Sequence, residues 1–171
     1  MEPEILIWLF PIIFMLHEFE EIILMRRWMG KNKALILEKF PRAGRRFIRQ
    51  QGSLSTEAYT FIVTEEFILA SAIVIIAAVT GNYDLYAGLL AAYLIHLLLH
   101  IFQAVTIGKY IPGLVTTILT GIFCGFAIYW LAVNNLLSLY PFLIYSVILT
   151  VIVFINLDVM HRLAKKLKFL K

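Results

Sequence analysis

The stretch His17-Glu18-Phe19-Glu20-Glu21 sits inside an apolar run that reads Ile5-Leu6-Ile7-Trp8 before it and Ile22-Ile23-Leu24-Met25 after it. Three carboxylates and an imidazole stand where a membrane segment carries leucines. Each such group costs a few kcal/mol or more at the centre of a bilayer, so it turns to protein, water or a ligand. On a helix of about 100° per residue, His17, Glu20 and Glu21 are i, i+3 and i+4 and share a face, with Glu18 off it. One helix then offers a nitrogen and two carboxylates to a single point, which is a chelating arrangement. A polar seam that welds helices together is the structural alternative.

Two later stretches carry the same chemistry. Glu65-Glu66 lies about two turns into a second apolar run. His96, His100 and Gln103, at i, i+4 and i+7, share one face of a third. At 1.5 Å per residue, these groups and the opening motif fall about 8–18 Å from the basic ends of their segments, in one layer. Asn156 reaches the lower edge of that layer, whereas Asp158 and His161 read as interface residues. Imidazole nitrogens and carboxylate oxygens suit zinc, iron or manganese. The expected ligands are His17, Glu20, Glu66, His96 and His100, with Glu65 and Asn156 as further candidates. Glu21 is the candidate general base, and Gln103 a residue that orients a ligand or donates to an oxyanion. The set suffices for one zinc with an open position, or for two irons about 3.5–4 Å apart bridged by carboxylates. A metal-free proton relay, or a purely structural polar network, uses the same residues.

The elements that must hold this layer are helices in a bilayer. Of 171 residues, 61% are hydrophobic and 15% charged, with mean hydropathy +0.87. Soluble domains are about 45–50% apolar and about a quarter charged. An all-α, single-domain transmembrane bundle over 1–171 follows, with five spans at about 4–28, 57–80, 85–107, 114–133 and 142–161. No small-residue cleavage site follows the first run, so no cleaved signal peptide is expected. Cys124 is the only cysteine. It excludes an intrachain disulfide and thiolate metal sites, and its apolar surroundings make it a packing residue.

Positive charge orients the bundle. Nine Lys and Arg residues from Arg26 to Arg49 fall between the first two spans, and Lys109 lies between the third and fourth. Arg162, Lys165, Lys166, Lys168 and Lys171 follow the fifth, while the opposite loops carry only Glu2, Glu4 and Asp84. The N-terminus is therefore expected outside and the C-terminus in the cytoplasm. The net charge of +4 is accounted for by these flanks, and no nucleic-acid partner is implied. The segment 29–56 reads as a basic cytoplasmic loop, with Ala34 to Leu37 and Phe40 able to dip into the interface.

Two known intramembrane or zinc motifs fail at defining positions. The inverted zincin pattern His-x-x-Glu-His has Glu21 at its last position here. The Glu-Glu-x-x-x-Arg motif of CAAX-type membrane proteases would need its arginine one residue before Arg26. The chain does resemble the small bacterial and archaeal membrane proteins named for an HXXEE motif, through His17-x-x-Glu20-Glu21 and the later Glu65, Glu66, His96 and His100. That resemblance implies a multi-pass protein of a prokaryotic cell membrane with metal-dependent enzymatic activity, and it names no reaction. Chemistry supplies the first expectation, a metal-dependent hydrolase acting on a lipid or membrane-borne substrate. A two-iron membrane oxidoreductase and a cation or proton-coupled transporter are the rivals. Against transport, the spans show no two-fold repeat.

Overall fold

The computed structural model describes residues 2–52 and 54–167, so Lys168 and Lys171 of the basic flank lie outside the described residues. Among the described residues there are six helices and no strand. They are α1 (Pro3–Lys39), α2 (Ala43–Gln51), α3 (Thr56–Thr80), α4 (Tyr83–Ile107), α5 (Leu114–Val133) and α6 (Leu139–Lys166). The last four are each long and apolar enough to cross a membrane. α1 is longer than any of them, but Glu4, Glu18, Glu20 and Glu21 interrupt its apolar run.

Local chemistry explains the boundaries. Pro3 occupies the first turn of α1, where a missing N–H costs nothing. The Ser55 and Asn82 side chains cap α3 and α4 by accepting from the Ala58 and Leu85 N–H groups, at 3.1 and 2.9 Å. The stretch from residue 29 to 56 departs from the expected loop. α1 continues through Lys31, Lys33, Ala34, Leu35 and Ile36 to Lys39, and α2 follows directly. Charged and straight-chain residues are good helix formers, and nothing breaks the helix before Pro41. Proline disfavours helical backbone at the residue before it, and Phe40 accordingly has φ −134° and ψ 73°. Ile36 is not free to dip into lipid. It is 2% exposed and packs with Met25, Met29 and Phe47. Leu35 and Phe40 pack beside Ala104, Ile107 and Ile111.

α4 is the central helix, packed against α3, α5 and α6, while α1 lies against α3 and α5. Gly88 permits the closest approach. A Cβ there would lie 2.6 Å from Tyr145 Cβ of α6, the small-residue device that brings membrane helices together when lipid removes the usual hydrophobic drive. The core below the site is Phe10 and Phe14 of α1, Val74 of α3, Leu90 and Tyr93 of α4, and Leu131 of α5. Cys124 is fully buried among them, as its sequence context implied. Large apolar side chains such as Ile23, Val79, Val105, Ile122 and Val147 face outward, between 65 and 80% exposed, as a lipid-facing surface requires.

Polar ties fix the two ends of the bundle. At one, the Tyr86 hydroxyl donates to Leu6 O at 2.7 Å, and Ser138 N–H donates to the Asp84 carboxylate at 2.7 Å. At the other, Lys39 Nζ donates to Ile107 O at 2.7 Å and Trp28 Nε1 to Tyr110 O at 2.6 Å. The long α1 thus braces the connection between α4 and α5. That connection forms one wall of the site.

Candidate metal centre

His17 projects from α1, and His96 and His100 project from adjacent turns of α4. Each of the three rings brings a nitrogen to within 4.8 Å of the others. The His100 and His96 Nε2 atoms are 3.1 Å apart. His100 Nε2 also lies 3.1 Å from Glu21 Oε1, close enough for an ion pair but without hydrogen-bond alignment, so Glu21 Oε1 has no hydrogen-bond partner. His17 Nε2 and His100 Nδ1 have none either. His17, Glu21 and His100 are 0, 4 and 6% exposed. Buried polar atoms are almost always satisfied, since each orphan costs about 1–3 kcal/mol. Here several orphans gather at one place, and their lone pairs are those a divalent cation accepts.

Behind His17 stands a chain of hydrogen bonds. The Thr116 hydroxyl donates to Glu20 Oε2 at 2.6 Å, with Gly113 O a longer alternative at 3.1 Å. Its oxygen is then left to accept from His17 Nδ1–H at 3.0 Å. This order fixes the tautomer and leaves Nε2 as the unprotonated nitrogen, with its lone pair free. Glu20 is held in turn by Thr116 N–H at 2.9 Å and by the Tyr110 hydroxyl. Its carboxylate occupies the N-terminus of α5, where free N–H groups and the helix dipole favour an anion.

Gly113, the residue before α5, closes that side. Its φ of +88° is left-handed, and a Cβ on it would lie 3.1 Å from both Glu21 Oε1 and His17 Cε1 and 3.2 Å from His100 Cε1. Only glycine gives the backbone both this conformation and this clearance.

On the open side, Tyr59 of α3 donates its hydroxyl to Glu21 Oε2 at 2.5 Å. A cavity of about 420 Å³ begins there, and Glu18, Glu66, Gln103 and Arg46 share its wall with Glu21, His96 and His100. Asp158 and His161 of α6 also reach it. Glu65 faces away from it and accepts from Asn156 Nδ2 at 2.8 Å, tying α3 to α6.

A family model described as "Protein of unknown function with HXXEE motif" matches residues 8–130, most of the chain. The chain belongs to the HXXEE family. No curated protein and no solved structure matches it. In this HXXEE protein the three motif positions do three different things. His17 enters the cluster, Glu20 supports it from behind through Thr116, and Glu21 enters it from the cavity side.

The expected residues are therefore sorted by geometry. His17, His96, His100 and Glu21 come together. Glu66 and Gln103 stand on the cavity wall. Glu20, expected as a ligand, turns to Thr116 and Tyr110, and Glu65 and Asn156 pair with each other. Glu18, read as off the face, is 3% exposed and lines the cavity. The helix wheel explains the exchange. Measured from His17 at about 100° per residue, Glu21 lies about 40° to one side, Glu18 about 100° to that same side, and Glu20 about 60° to the other. Once the cavity lies on the Glu21 side, Glu18 follows it and Glu20 does not. Tyr59, Thr116, Tyr110 and Gly113 escaped notice. Tyr59 carried a signal, being seven residues, two turns, before Glu66 on the same helix face. Thr116 and Gly113 act through backbone position at a helix start, which side-chain periodicity does not register.

Proposed function

We propose that this HXXEE protein is a metal-dependent membrane hydrolase whose substrate is a lipid or a lipid-borne ester. One observation carries the reading: the convergence of three imidazoles, two of them buried and one with an unpartnered Nε2, beside an unpartnered carboxylate oxygen. His17, His96 and His100 would hold a divalent ion. A nitrogen-rich set with a free fourth position is the zinc pattern, whereas two-iron sites draw mainly on carboxylates. With Glu20 committed to the start of α5, the cluster favours one ion over two. A zinc ion there would polarise the substrate carbonyl and ready water for attack at neutral pH.

The chain's own groups do the rest. Tyr59 fixes Glu21 through Oε2 and leaves Oε1 free to act as base. Glu21 takes a proton from water as the water oxygen bonds to the acyl carbon. The ester C–O bond then breaks, and Glu21 returns the proton to the departing alkoxide. Gln103, on the same cavity wall, would donate to the oxygen of the acyl group. Low polarity around the cluster strengthens each of these interactions.

The test is Glu21→Gln, assayed with fluorogenic long-chain acyl esters in detergent micelles. Bound zinc per chain should be unchanged, while turnover falls by about 10²–10⁴, the usual share of a positioned base. Loss of zinc would make Glu21 a ligand, and full turnover with zinc retained would end the base assignment.

A further inference from the structure

The site cavity is not the only space beside the histidines. A second cavity, of about 330 Å³, begins at Glu18, Glu66 and His96, which line both, and runs away from the basic end of the bundle. Beyond those three residues its wall is almost wholly apolar, with Phe10, Phe14, Ala70, Leu89 and Leu149 among its lining. The slot follows four helices over matching lengths. It runs from Glu18 back to Phe10 on α1, from Glu66 to Ile73 on α3, from His96 back to Leu89 on α4, and from Leu157 back to Leu149 on α6. Each is seven or eight residues, or about 10–12 Å at the helical rise. At its rim Leu69 of α3 and Ile152 of α6 are 42 and 49% exposed, so the slot opens sideways between these helices to the outer, lipid-facing surface.

From these observations we infer that the slot seats one hydrocarbon chain of the substrate, threaded between α3 and α6, with the reacting group held at Glu21 and the histidines. The inference rests on the hydrolytic reading and narrows its substrate to an amphiphile with a linear alkyl tail. Three features select that occupant. The slot is elongated and apolar, which matches a methylene chain and rejects a sugar or peptide. It ends on the site, so a chain seated in it delivers its polar end to the catalytic groups. It opens to lipid rather than to water, so the chain enters without being exposed. Arg46, on the wall of the outer cavity, stands on the side from which an anionic headgroup would project. Ala70, 7% exposed, is the small residue that keeps the slot open beside Phe10 and Phe14.

The experiment uses purified full-length protein in detergent and a fatty acid with a photoactivatable diazirine at its terminal carbon. Metal per chain is measured on the same samples. Cross-links should be saturable, should be competed by unlabelled fatty acid, and should map to the slot around Phe10, Ile73, Leu89 and Leu149. Ala70→Phe should reduce them about tenfold by filling the slot, with bound metal unchanged. Val153→Phe, at a half-buried slot position on α6, should do the same and replaces Ala70→Phe if that variant does not fold. Non-saturable labelling spread over outward residues such as Val79 and Val105 would overturn the proposal, as would slot labelling undiminished by both variants. A protein that labels in the slot but holds no metal would leave the slot standing and refute the hydrolytic reading. One that holds metal but labels only on its outer surface would do the reverse.

Discussion

Thr116 is the residue on which the metal-site account depends in an unexpected way. It touches neither the cavity nor the other two histidines, yet its hydroxyl joins Glu20 to His17 and so decides which imidazole nitrogen is free. Partners of this kind hold ligand rings in place, and their loss costs about 10–100-fold in metal affinity. Thr116→Val keeps the shape and removes the hydroxyl, so zinc affinity measured by chelator competition should fall by about that factor. Thr116→Ser should restore most of it. Equal affinities for the valine and serine variants would show that the hydroxyl does not position His17. At this scale the sequence was most informative about residue type and least about direction. His17, His96 and His100 were legible because an intramembrane histidine has few other uses. Whether Glu18 or Glu20 faced the cavity depended on where α3 lay, and helix periodicity within α1 holds no information about that.

At the scale of elements, α1 is both the least apolar of the long helices and the one that organises the site. Its first half contributes Leu6, Ile7, Phe10 and Phe14 to the core, its middle carries the motif, and its extension braces the loop that ends at Gly113. The helices α3 to α6 were readable from apolar length. The extension to Lys39 and the separate α2 were not, because a run of lysines and arginines reads equally as a solvated loop or as an amphipathic helix. α1 is the expected fifth crossing, which with the orientation from the basic flanks puts Glu4 and Asn82 outside and Lys39 inside. A cysteine at Asn82, in a chain with Cys124 replaced, should react with an impermeant maleimide added to intact cells, and one at Lys39 should react only after lysis. The opposite pattern would contradict the orientation drawn from the basic flanks, and a cysteine at Glu4, in the first turn of α1, that reacts only after lysis would leave α1 out of the membrane.

Across the whole molecule, three helices direct ionisable side chains inward at one depth, while the outward face between the charged ends of the bundle carries large apolar side chains. Burying Glu18, Glu21, His17 and His100, with Glu66 and His96 half-buried beside them, inside a membrane bundle is costly without a counter-charge. A polar weld would need its members paired, as Glu65 and Asn156 are. The histidine cluster instead leaves nitrogens and a carboxylate oxygen without partners, so the account requires a cation to complete it. The most direct measurement is elemental analysis of the purified full-length protein, equilibrated with zinc and freed of unbound ion, beside His17→Ala and His96→Ala prepared identically. The account predicts one zinc per wild-type chain and a loss of most of it in each variant, with helical circular dichroism unchanged. Wild type without stoichiometric metal, or variants that keep the same metal per folded chain, would contradict it.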